Sequence, residues 1–140
     1  MAEYMMKHLI EQNGWEDLLM CDSAATSYEE IGNTIHYGAK RELDRHSIPA
    51  GNHRARHMRP EDYDTFDYII GMDEENMYNL NRYYHNDPKH RIFLLLGFAG
   101  KNRDIANPWY TGNFRETYED LEEGLEAFTE YLKKNAVLPQ

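Results

Sequence analysis

The apolar pattern of the chain is densest where polar alternation stops. Residues 66–72, Phe-Asp-Tyr-Ile-Ile-Gly-Met, lie between Asp64 and Asp73 and are rich in β-branched and aromatic side chains. Such a run predicts a strand covered on both faces, as in parallel sheets with helices on either side. Asp73 then opens a helical pattern over 74–84 and is placed to cap it. Ligands of open parallel sheets bind outside the carboxyl ends of the strands, so Met72 and Asp73 mark the end where chemistry is expected.

The other elements follow in order. Residues 1–13 set Met1, Met5, Met6, Leu9 and Ile10 on one helical face, and Gly14 stops the helix. Residues 18–23 predict a short buried strand running into the small polar loop from Asp22 to Ser27. Helical spacing returns over 33–47 at Ile35, Ala39 and Leu43, and Ile48-Pro49-Ala50-Gly51 breaks it. Residues 52–59 form a basic connector. Within 91–98, Ile92 to Leu96 predicts another buried strand. Residues 100–113 read as a loop containing Asn107-Pro108-Trp109-Tyr110. From Asn113 to about Lys134 a helix places Tyr118, Leu121, Leu125, Phe128 and Leu132 on one face, with Asn113 and Glu116 in the form of a capping box. The expected fold is a single α/β domain over 1–140, in three layers, with a parallel sheet flanked by helices.

Composition narrows the function. The formal net charge of −10 argues against a phosphate-backbone binder, so no nucleic-acid partner is expected. No run approaches the roughly 20 apolar residues of a membrane span, and no membrane partner is expected. One cysteine gives no internal disulfide framework, and no signal peptide is recognisable. A cytoplasmic protein is the expectation. Six of the fifteen Lys and Arg residues fall at Lys40, Arg41, Arg45, Arg54, Arg56 and Arg59, a cluster able to line an anion site. The acidic run Glu116, Glu119, Asp120, Glu122, Glu123, Glu126 and Glu130 reads as a solvated helix face.

Three constellations are candidates for chemistry. A cysteine nucleophile for phosphate needs a cradle of N–H groups and an arginine, usually six positions on. Ser27 stands six positions after Cys21, so Cys21 reads as apolar filler in a buried strand. His53 and His57 are spaced like paired metal ligands, but the surrounding arginines and the lack of a carboxylate or cysteine cluster predict no metal. Trp109 and Tyr110 follow Pro108 in a loop, where both packing and recognition are served.

Five ordered motifs carry a resemblance. They are Met1-Ala2-Glu3; Asp22-Ser23-Ala24-Ala25-Thr26-Ser27; Ile48-Pro49 with His53-Arg54-Ala55-Arg56; Thr65-Phe66-Asp67-Tyr68-Ile69 with Met72-Asp73; and Pro108-Trp109-Tyr110-Thr111-Gly112. Together they resemble the low-molecular-weight protein tyrosine phosphatases over nearly the whole chain. The resemblance implies a four-stranded parallel sheet, hydrolysis of phosphotyrosine or aryl phosphate monoesters, and no cofactor. It makes Ser23 the hydroxyl that supports the phosphate loop and His53 the histidine of that network. Trp109 and Tyr110 become the aromatic rim of the substrate site, with Tyr28 and Glu29 near its specificity position.

The departures are as informative. In the family a first strand and a loop Cys-x-x-x-x-x-Arg-Ser-Pro come directly before Met-Ala-Glu, so the resemblance implies an N-terminally truncated domain without nucleophile or phosphate-binding arginine. The missing strand would lie between residues 18–23 and 66–72, and its loss would also explain the mean hydropathy of −0.86. The general-acid position is Asn107, an amide that cannot donate a proton to a leaving tyrosine oxygen. The expectation is therefore a phosphatase inactive as it stands, with sheet edges open to oligomerisation. The alternative is a non-catalytic relative binding a phosphorylated or acidic partner through residues 45–59. Arsenate reduction on this fold resembles a relay of several cysteines, which one cysteine cannot supply.

Overall fold

A computed structural model describes residues 1–26, 36–51 and 55–139, with the side chain of Trp109 outside that description. The elements among them are α1 (Ala2–Gln12), α2 (Tyr37–Arg45), α3 (Asp62–Thr65), β1 (Ile69–Gly71), α4 (Glu74–Tyr83), β2 (Ile92–Leu94), a 3-10 turn (Leu95–Ala99), α5 (Pro108–Thr111) and α6 (Phe114–Lys134). β1 and β2 pair in parallel, Ile69 opposite Ile92 and Gly71 opposite Leu94. The helix between them is the crossover that a parallel pair requires.

Two apolar clusters lie on the two faces of this sheet. The larger joins α1, α2 and α6 with Leu95 and Leu96, and Tyr68, Ile70 and Met72 pack against it. The smaller joins Tyr63, Leu80, Tyr84 and Ile92, and Ile69 packs against that. Ile69 and Ile70 thus face opposite ways, as alternate strand positions must. This is the three-layer α/β arrangement expected from the pattern.

The predicted helices form with the expected faces. Met5, Met6 and Ile10 of α1 are buried, as are Ala39 and Leu43 of α2. The five apolar positions on α6 are buried too. Asp73 Oδ1 accepts from Asn76 N–H at 2.7 Å and starts α4. The capping box at α6 is made by half: Asn113 Oδ1 accepts from Glu116 N–H, whereas the Asn113 N–H donates to Thr111 Oγ1.

Three expectations are corrected. Residues 18–23 form no strand, although their exposure alternates: Leu18 and Met20 are 52% and 74% exposed, while Leu19, Cys21 and Ser23 are half-buried. The period-2 burial of a strand is present and the ladder is not, because β1 stands across a cavity from this segment. Second, the strand beginning at Ile92 ends at Leu94. Leu95 and Leu96 enter the 3-10 turn and are fully buried, with Leu95 seated on Gly124 of α6. Third, residues 108–111 are not loop but the single helical turn α5. The sheet has two strands among the described residues, fewer than the family pattern implied.

The Leu95 seat gives the first prediction. A Cβ at Gly124 would stand 2.5 Å from Leu95 Cγ. Gly124→Ala gains helix propensity of up to about 1 kcal/mol, but overpacking a filled core costs about 1–3 kcal/mol. The variant should therefore unfold at lower urea concentration than the parent with an unchanged slope. A higher midpoint would mean that α6 moves aside without cost.

Candidate active site

A cavity of about 1020 Å³ opens at the free edge of β1. Its walls are the segment 18–26, β1 itself, the apolar faces of α1 and α6, and the loop 105–108. Met72 and Asp73, at the carboxyl end of β1, lie on it, as the strand pattern implied. So do Ser23 and Asn107, which are eighty-four positions apart in the chain (107 − 23).

Ser23 is held by a group outside the expected network. Its hydroxyl donates to Glu3 Oε1, and Glu3 Oε2 accepts from Lys7 Nζ at 2.8 Å. Glu3 is buried. A glutamate on the inward face of an amphipathic helix was the available signal, since a buried carboxylate needs partners. The adjoining loop is pinned as well. Ala25 N–H donates to Arg56 O, Met58 N–H donates to Ala25 O, and Asn76 and Asn79 of α4 reach Thr26 Oγ1.

Asn107 is half-buried. Its carbonyl accepts from the N–H groups of Tyr110 and Thr111 at 3.0 and 3.1 Å and begins α5, with Pro108 in the first-turn position that suits proline. Upstream, Ile105 N–H donates to Met72 O at 2.9 Å, which ties this loop to the end of β1. Tyr110 is 89% exposed and stands off the cavity wall. His53, Tyr28 and Glu29 lie outside the described residues, as does the side chain of Trp109.

Two members of the basic cluster, Arg45 and Arg56, are engaged within the chain. Arg56 pairs with Asp22 at 3.1 Å and Asp62 at 2.9 Å, and Arg45 reaches the buried Glu42 at 3.4 Å. His57 Nδ1 lies 2.6 Å from Met58 O, and its ring meets Tyr83 edge-on. Among the described residues, no group of three or more His, Cys, Asp or Glu side chains is arranged to hold a metal ion. No helix of the described residues is long and apolar enough to cross a membrane. The acidic face of α6 is corrected at one position: Asp120 is buried and bonded to Arg103 and to the Ala106 N–H.

Cys21 lines the cavity, yet its chemistry is quiet. Burial pushes its thiol up to about 11, and the Glu3 carboxylate adds to the rise. At pH 8 about one thiol in a thousand is then ionised, and the thiolate is the reactive form. Alkylation by iodoacetamide should be far slower than for a free cysteine at pH 8 and should keep accelerating up to about pH 11. A rate that levels off near pH 8 would mean the thiol is not desolvated.

Fold and cavity define an α/β domain with a large cavity at the edge and carboxyl end of a parallel sheet. The family model for low molecular weight phosphotyrosine protein phosphatase matches residues 1–138. The chain is 33% identical over 140 residues to the low molecular weight protein-tyrosine-phosphatase YfkJ of Bacillus subtilis, covering 99% of this chain and 90% of that protein. It is 36% identical over 134 residues to the human low molecular weight phosphotyrosine protein phosphatase, covering 92% and 84%. The crystal structure of YfkJ superposes with a TM-score of 0.90 at 32% identity, over 96% of this chain and 86% of that one. The chain belongs to the low molecular weight phosphotyrosine protein phosphatase family.

Proposed function

We propose that residues 1–140 form the receiving part of a phosphotyrosine phosphatase site, on which hydrolysis begins when a strand bearing a Cys-x-x-x-x-x-Arg loop occupies the cavity at the β1 edge. The observation that carries this reading is the cavity itself. It separates β1 from a segment, 18–23, that has strand-like alternation of burial and no ladder, and Ser23 and Asn107 both border it. Within residues 1–140 the one cysteine is Cys21, and Ser27 stands where its arginine would be. The nucleophile and the phosphate-binding arginine must then come from outside these residues.

In the completed site a thiolate sulfur attacks phosphorus while the bond from phosphorus to the aryl oxygen breaks. That oxygen leaves with a proton from the acid. Water then attacks phosphorus, releasing inorganic phosphate and returning the thiol. Ser23, fixed by Glu3, supports the loop from below. Asn107 occupies the acid's position and cannot give the proton, so tyrosine leaves poorly. The substrates of this reading are phosphotyrosine proteins and small aryl phosphates, and the compartment is cytoplasmic.

The test is complementation. Residues 1–140 alone should release no p-nitrophenol above background and show no burst. Adding a polypeptide with an apolar strand followed by Cys-x-x-x-x-x-Arg should produce turnover, and serine in place of that cysteine should abolish it. Turnover by residues 1–140 alone would overturn the reading. So would a segment that binds without producing any.

A further inference from the structure

The residue before Asn107 is gripped at both of its backbone polar groups, in two successive peptide units, by one helix. Ala106 N–H donates to Asp120 Oδ2 at 2.8 Å, and Ala106 C=O accepts from Thr117 Oγ1 at 2.7 Å. Thr117 and Asp120 are three apart on α6 and share a face. Both are buried. Arg103 closes the arrangement with a two-point contact on Asp120, Nη1 to Oδ2 at 3.1 Å and Nη2 to Oδ1 at 3.0 Å.

A helix face that packs against a core has no need of a hydroxyl and a carboxylate for its own sake. Buried polar side chains persist where they satisfy groups that regular structure does not. The loop before α5 belongs to no ladder, so the N–H and C=O of Ala106 require partners from elsewhere. Arg103 keeps the carboxylate ionised and aimed: burial alone would raise the Asp120 carboxyl, yet the bonds from Arg103 and from Ala106 N–H hold it below its ordinary value. The geometric result falls one residue later. With Ala106 on one side of residue 107 fixed to α6 and the carbonyl of residue 107 engaged by α5, the direction of its Cα–Cβ bond is set from both ends.

We infer that Thr117 and Asp120, with Arg103 as the support of Asp120, are positioning residues that set the direction of the side chain at position 107 toward the leaving group. They act through the backbone of Ala106. This inference rests on the reading that position 107 serves the departing aryl oxygen.

Two measurements test it. The first uses the complemented protein carrying Asn107→Asp, so that an acid is present to be aimed. Thr117→Val and Asp120→Ala should each lower kcat on a phosphotyrosine peptide by about ten- to a hundredfold, the scale of a small misplacement in a site. KM should stay within about twofold, because uniform binding is untouched. The loss should nearly vanish on p-nitrophenyl phosphate, whose leaving group needs little proton assistance, and Asp120→Asn should recover part of it by restoring an acceptor for Ala106. The double variant should lose less than the two single losses combined, since both act on the backbone of Ala106. Equal losses on the two substrates, or losses confined to KM, would overturn the inference, since they would mark a general structural defect.

The second measurement needs no turnover. Thr117→Val leaves the acceptor of the Ala106 N–H in place, so a rigid loop would leave that amide's exchange unchanged. A shared grip should release it about fivefold faster, the factor one ordinary hydrogen bond implies, with Leu125 in the core of α6 unaffected. Unchanged exchange at Ala106 overturns the inference. Faster exchange together with an inactive complemented protein supports the grip and removes the hydrolytic reading instead.

Discussion

In the complemented protein, Asn107→Asp raises kcat on a phosphotyrosine peptide by about 10²-fold or more, while the rate on p-nitrophenyl phosphate changes by less than about tenfold. The asymmetry comes from the leaving groups. A tyrosine oxygen departs as a strong base unless it is protonated, its pKa being about 10. Nitrophenolate departs unaided. A general acid in a half-buried loop is worth about 10²–10⁴-fold, and the amide of Asn107 supplies none of it. The pH profile should change in the same direction. An aspartic acid must hold its proton to act, so the variant gains a falling limb on the alkaline side that the Asn107 protein lacks. An equal gain on both substrates, or no new limb, would remove position 107 from the leaving-group side of the site.

The layers of the fold were legible because they rest on periodicity. The stripe Tyr118, Leu121, Leu125, Phe128 and Leu132 is buried as written, and the caps at Asp73 and Asn113 sit where they were expected. What periodicity could not show is anything set by a neighbour distant in sequence. Leu95 and Leu96 continue an apolar run that resembles a strand, whereas the structure has them in a 3-10 turn with Leu95 seated in the notch at Gly124, a contact distant in sequence. The four residues of α5 are too few for a pattern, although Asn107 followed by Pro108 carried its start signal.

Part of the cavity's lining was legible. Ser23 and Asn107 were identified by resemblance, and the structure brings both to one cavity. Glu3 and Asp120 were passed over for a common reason. Charges in an amphipathic helix are usually solvated, and these two stand on inward positions where each meets a partner from another segment. Their helical phase, read residue by residue instead of as a run of charge, was the signal that distinguished them.

Along β1, residues 1–140 alone should show alternating amide exchange, slow at Ile69 and Gly71 and faster by at least about tenfold at Ile70. The parallel register accounts for this. Ile69 N–H donates to Arg91 O at 2.8 Å, and Gly71 shares its direction, so the N–H and C=O of Ile70 point to the free edge and the cavity. Each unpartnered buried group costs about 1–3 kcal/mol, a large share of a typical stability of about 5–15 kcal/mol. Edge groups of this kind pair with whatever strand reaches them. A complementing segment should slow exchange at Ile70 more than at its neighbours, and raise Tm in proportion to the logarithm of its concentration once binding is saturated. Pairing between two copies would give a different signature, with protection at Ile70 rising with protein concentration alone and sedimentation reporting a dimer. Strong protection at Ile70 in a dilute monomer would mean that the segment 18–23 has closed onto β1, and that the cavity is not held open for a strand.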